Sequence, residues 1–191
     1  MLTNAALGCE VLIALVFCVS SASKVWTRRY FADFVASVQA VRILPQRWAV
    51  RTAALVVVAE GAIPALLVTS LLAGVSPRFR EYAVTLRIAG TASACVLLLA
   101  FTVLIVFSGK RRIQVACRCL GAGQGSPMGR RHIVRNIVLL AAASSALMHE
   151  LIHPIAGVDA AAALSTCALA GVAVLLIVRL DDMAEFFAPQ R

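Results

Sequence analysis

Long apolar runs separated by short polar stretches, most of them arginine-rich, set the pattern of this chain. The runs fall at about 5–23, 49–73, 83–108, 134–152 and 157–179. Each is close to, or longer than, the roughly 20 residues an α-helix needs to cross a bilayer. They predict five membrane-spanning helices. Four is the alternative, because Glu150, His153 and Pro154 crowd the junction of the last two runs. The stretch 24–48 has another rhythm: Trp26, Tyr30, Phe31, Phe34, Val38 and Val41 come at near-helical spacing among Lys24, Arg28, Arg29, Arg42 and Arg47. That pattern predicts an amphipathic helix lying at the interface, ended by Pro45. Small residues at Gly90, Ala92, Ser93 and Ala94, and at Ala160 to Ala163, predict close helix contacts. The expected fold class is all-α, a polytopic membrane bundle of four to five spans forming one integral-membrane domain over residues 1–191.

Composition agrees with this picture. The 191 residues are 61% hydrophobic and 14% charged, against about 25% charged in soluble domains. The net charge of +9 is nearly all arginine. A basic balance can signal nucleic acid, but charges confined to short loops between apolar runs signal membrane topology instead, so no nucleic-acid partner is expected. With five spans, one face carries Arg78, Arg80 and Arg87, and the other carries the remaining fifteen basic residues. The positive-inside rule places the fifteen in the cytoplasm of a multi-pass plasma (inner) membrane protein. The first run has no basic residue before it, since Lys24, Arg28 and Arg29 follow it, so an uncleaved span is expected rather than a signal peptide.

Several residues suggest chemistry. Glu60 lies mid-way along the second run, where a carboxylate needs a proton or a partner. Arg87 or Arg51 would reach it only if the helices bend. It reads either as a proton-handling group beside a quinone or as a hydrogen-bonded fastener between helices. Glu10 reads as interfacial, and Asn136 as a cap on the fourth span or a tie to the adjoining loop. His149-Glu150-Leu151-Ile152-His153 matches the H-E-x-x-H zinc motif, in which His149 and His153 would bind metal and Glu150 would activate water. Pro154 disfavours a helix at His153, and no clear third ligand is present. The motif therefore reads as a polar helix end facing water or headgroups, with an intramembrane metalloprotease as the remote alternative and no metal expected.

Cysteines sharpen the functional reading. Cys9, Cys18, Cys95 and Cys167 lie inside apolar runs, where a thiol behaves as a small hydrophobe. Cys117 and Cys119 sit in a polar stretch, one residue apart, with Arg118 between them. A disulfide across so short a ring is strained and easily reduced, and Arg118 favours the reactive thiolate.

These features occur in an order that resembles the MauE family of MauE/DoxX-like redox-associated membrane proteins over about residues 5–145. Lys24 follows the first span, then Phe31 and Phe34. Leu44-Pro45 precedes the second span, which holds Glu60 and Pro64. Phe101-Thr102 and Gly109-Lys110-Arg111 close the third span, and Arg135-Asn136 opens the fourth. Cys117-Arg118-Cys119-Leu120-Gly121 stands where the family typically shows Cys-Gly-Cys-Phe-Gly. The resemblance implies thiol–disulfide exchange by Cys117 and Cys119, with a redox-active disulfide, a thioredoxin-like or client partner, and a role in maturing exported proteins. In the family's founding example the setting is methylamine dehydrogenase and methylamine utilisation. A non-catalytic assembly subunit is the alternative. One tension follows: disulfide formation in exported proteins takes place outside the cytoplasm, whereas the charge count puts the Cys-x-Cys loop inside.

Overall fold

In hydrocarbon a backbone must satisfy its own hydrogen bonds, and for a single segment only a helix does so. The computed structural model, which describes residues 2–40, 45–110, 130–153 and 168–172, turns the apolar runs into helices accordingly. They are α1 (Leu2–Val25), α2 (Arg28–Ala40), α3 (Gln46–Gly74), α4 (Arg80–Lys110) and α5 (Arg130–Ile152), with a 3-10 turn at Pro77–Phe79. Four of them, α1, α3, α4 and α5, are long and apolar enough to cross a bilayer. Among the described residues there is no strand. The expected fifth span, with Ala160 to Ala163, lies outside the described residues apart from 168–172, which are helical.

The helices meet along narrow seams. On α5 the buried positions are His132, Asn136, Leu139, Ala143, Ala146 and Glu150, alternating steps of four and three. Ala83, Arg87, Thr91, Ala94 and Leu98 on α4 are likewise spaced by fours and a three. A repeat of 3.5 keeps one stripe of each helix facing its neighbours, as in left-handed bundles. Ile13, Phe17, Ile63, Leu67, Ala94, Leu98 and Leu139 form the centre. The outer surface is apolar as well, with Leu55, Val58, Leu72, Val96, Val103, Ile137 and Val138 exposed. That suits lipid rather than water.

Of the small residues on α4, Ala94 is fully buried and Ser93 faces outward. Gly90 has the clearest role. A Cβ there would sit 2.9 Å from Leu67 Cδ2 and 3.4 Å from Leu66 Cβ, so its absence lets α3 and α4 approach closely.

α2 forms as expected from its spacing, but its apolar face is not left to lipid alone. Phe31, Phe34, Val35 and Val38 pack on Ala49 and Ala53 in the first turns of α3. Arg28 and Arg29 remain exposed, as does Trp26 just before the helix.

Neighbouring spans are antiparallel. Going up α4 from Arg87 to Cys95, the partners on α5 descend from Glu150 to Ser144. Likewise Gly74 of α3 lies by Ala83, while Leu67 lies by Gly90. One end of the bundle therefore gathers the close of α1, all of α2, the start of α3, the close of α4 and the start of α5. The other end gathers the start of α1, the α3–α4 turn and the close of α5.

Candidate functional site

Each end of the bundle holds a buried ion cluster. At the first end, Lys24 continues the inward stripe of α1 one turn past Ser20, and Glu60 continues that of α3 one turn before Ile63. Lys24 Nζ donates to both carboxylate oxygens of Glu60, at 2.7 and 2.6 Å, and to Ser20 Oγ at 2.8 Å. The Ser20 hydroxyl in turn bonds to the Glu60 carboxylate. The rings of Phe34 and Phe101 lie 5.1 and 6.0 Å from the ammonium, adding cation–π attraction. Arg135, from α5, is the next charge that Lys24 feels. The result is a balanced clasp of one cation, one carboxylate and a bridging hydroxyl joining α1 to α3. Pro64 sits four residues after Glu60 inside α3. It has no N–H to give the Glu60 carbonyl, so the helical ladder lacks a rung beside the clasp.

At the other end, Arg87 of α4 draws two carboxylates. Its Nη1 lies 3.2 Å from Glu150 Oε1 on α5, and its Nε lies 3.6 Å from Glu10 Oε2 on α1. All three residues are buried. From α3, the neighbour of the guanidinium is Gly74, 3.7 Å from Nη2 measured to its ideal Cβ position, which brings no charge. Glu10 Oε1, Arg87 Nε and the nearby His149 Nδ1 are buried without a hydrogen-bond partner.

The sequence-predicted residues fare unequally. Cys117, Arg118 and Cys119 lie outside the described residues. Glu60 is where a functional carboxylate was expected, but its partner is Lys24, which the charge pattern had assigned to a loop. The suggested partners are engaged elsewhere: Arg87 with Glu10 and Glu150, and Arg51 over the exposed Trp48 ring at 5.2 Å. Glu10 does not face outward; it is buried two turns into α1, on the stripe that faces Arg87. Asn136 is not a cap, since it is buried within α5, beyond its first turn.

The H-E-x-x-H stretch divides by side. The helix runs to Ile152, and the His149 and His153 rings meet edge-on at 5.9 Å. Glu150 does not face water or headgroups; it points inward, and its carboxylate is engaged with Arg87. Among the described residues no three His, Cys, Asp or Glu side chains gather to hold a metal. Cys9 and Cys95 contact Ser145 and Ser144, each at 3.9 Å, and Cys18 faces outward.

Sequence reasoning missed Lys24 as a buried partner and missed the whole Glu10–Arg87–Glu150 cluster. A signal was present. Glu10, Phe17 and Lys24 stand seven residues apart on one stripe of α1, and the α5 stripe ends on Glu150. Polar residues in register with a buried stripe need partners on facing helices.

A bundle of apolar helices, lipid-suited outside and joined by buried ion pairs inside, defines a multi-pass membrane protein. Within that class, the family model described as methylamine utilisation protein MauE matches residues 2–149, and the chain belongs to that family. The match takes in three spans and all but the last three residues of the fourth, with Lys24, Glu60, Arg87 and the Cys117–Cys119 pair; Glu150 falls one residue beyond it. No curated protein and no solved structure matches the chain.

Proposed function

We propose that this MauE-family protein is a membrane thiol–disulfide exchange protein working through Cys117 and Cys119. The observation that carries the reading is the pair itself. Two thiols one residue apart interrupt the polar stretch between α4 and α5 in a member of this family. Both ends of that stretch join the bundle at the Lys24–Glu60 end.

In the proposed step, the thiolate of one cysteine attacks the disulfide of a thioredoxin-like partner or client. A mixed disulfide forms and one partner thiolate leaves. The second cysteine then attacks the mixed disulfide, closing the Cys117–Cys119 bond and releasing the partner's other thiolate. Two electrons pass to the partner, and the protons lost by the pair are taken up by the released thiolates. Run backwards, the same steps oxidise the partner. Arg118 favours the attacking thiolate. Lys24 and Glu60 act as positioning residues, fixing α1 against α3 beneath this chemistry. The family is associated with methylamine utilisation, and in this reading the inner membrane is the setting.

Single-cysteine traps test the proposal. Cys119→Ala should capture a partner on Cys117, or Cys117→Ala should capture one on Cys119, as a reductant-sensitive adduct. Failure of both traps, with full function in the double serine variant, would favour the non-catalytic assembly subunit. Labelling Cys117 and Cys119 with a membrane-impermeant reagent, in intact cells and in inverted vesicles, reads their side and their oxidation state together.

A further inference from the structure

We infer that the Glu10–Arg87–Glu150 cluster is a proton-binding site, holding one proton on its carboxylate pair at the bundle end opposite the Lys24–Glu60 clasp. The inference rests on charge and geometry and is independent of the thiol chemistry.

Among the described residues, the cluster sets two buried carboxylates against one guanidinium, an excess of one negative charge. A buried net charge is far more costly than a neutral acid. The clasp at the opposite end has no excess of negative charge, because Lys24 pairs with Glu60 one to one and the next charge, Arg135, is positive. The contacts locate the surplus. Arg87 is nearer to Glu150, at 3.2 Å, than to Glu10, at 3.6 Å, and Glu10 Oε1 has no partner although the residue is only 2% exposed. An unpartnered oxygen is tolerated far better on a neutral acid than on a carboxylate. The proton comes from water at that end and forms an O–H bond on Glu10, leaving Glu150 to pair with Arg87. A metal cation fits less well. It needs a shell of several oxygens, whereas here a guanidinium already binds both carboxylates. Among the described residues, the titratable groups of the cluster and its chain neighbours are Glu10 and Cys9 from α1 and Glu150 and His149 from α5, with Arg87 the fixed charge on α4. Cys9 contacts Ser145.

Infrared spectroscopy of the purified protein in lipid vesicles at neutral pH tests this. The wild type should show a protonated-carboxyl C=O band that shifts down in deuterated water. Glu10→Gln and Glu150→Gln should each abolish the band, because either change leaves one carboxylate for one cation. Arg87→Gln should enlarge it. Glu60→Gln and His149→Gln should leave it in place. If Glu10→Gln does not fold, Glu150→Gln and the wild-type band still decide. Absence of the band in the wild type would overturn the inference. So would its survival in both single glutamine variants, or its loss in Glu60→Gln. A band abolished by sodium or potassium ions at fixed pH would assign the site to a metal cation instead.

Discussion

The two ends of the bundle solve the same problem differently. At one end, Lys24 meets Glu60 through both carboxylate oxygens, with Ser20 bridging and aromatic rings nearby. At the other, Arg87 is shared between Glu10 and Glu150 at longer range, and two of the cluster's own atoms, Glu10 Oε1 and Arg87 Nε, have no hydrogen-bond partner. The Lys24–Glu60 pair is itself closed and neutral, with the positive Arg135 beyond it. The second is open and, counted by fixed charges, negative. The contrast shows that burying ions inside apolar seams does not define a single role. A balanced, fully bonded pair suits a fastener, whereas an unbalanced, under-bonded trio suits a site that takes up something.

The sharpest way to break this contrast is to remove each cation in turn. Arg87→Met leaves both acids of the cluster buried without a cation and should cost about 5 kcal/mol, the upper end of the range for breaking a buried pair. The expected result is a clearly lowered midpoint in a detergent thermal-unfolding assay. A variant as stable as the wild type would mean that Arg87 does not hold the cluster.

Lys24→Met strands only one carboxylate and should fall within about 3–5 kcal/mol. The double variant Lys24→Met with Glu60→Leu should recover most of that loss, since an apolar pair of similar volume can replace a buried ion pair. The double-mutant cycle, read by thermal unfolding, should therefore show strong coupling. Additive losses would show that the two side chains act independently.

The smallest effect is expected at a cation outside both clusters. Arg51 lies over the exposed Trp48 ring, and Arg51→Ala should shift stability by only about 0.5 kcal/mol. A loss as large as that of Lys24→Met would erase the distinction between clasp and surface.

Much of the architecture was legible in the sequence. Four of the five predicted runs became α1, α3, α4 and α5, because length and apolarity alone decide whether a segment can span. α2 followed from the spacing of Phe31, Phe34 and Val38. The ion clusters were less legible, for a physical reason. Lys24 follows an apolar run and so reads as the end of a span; what draws it inward is Glu60, 36 positions later. Glu10, Arg87 and Glu150 stand near the ends of three different runs, and only antiparallel packing brings them together. Glu60 alone was found by depth, because no other acid sits so centrally in its run. The cysteine pair was the strongest chemical signal in the sequence, and it lies outside the described residues.

The proline four residues after Glu60 bears on how α3 deforms. A rod with a missing rung bends there before it bends anywhere else. Its soft joint lies one helical turn from the salt link to α1, so a bend at that joint would turn the half carrying Ala49 and Ala53, with α2 packed on it, against the half carrying Leu67.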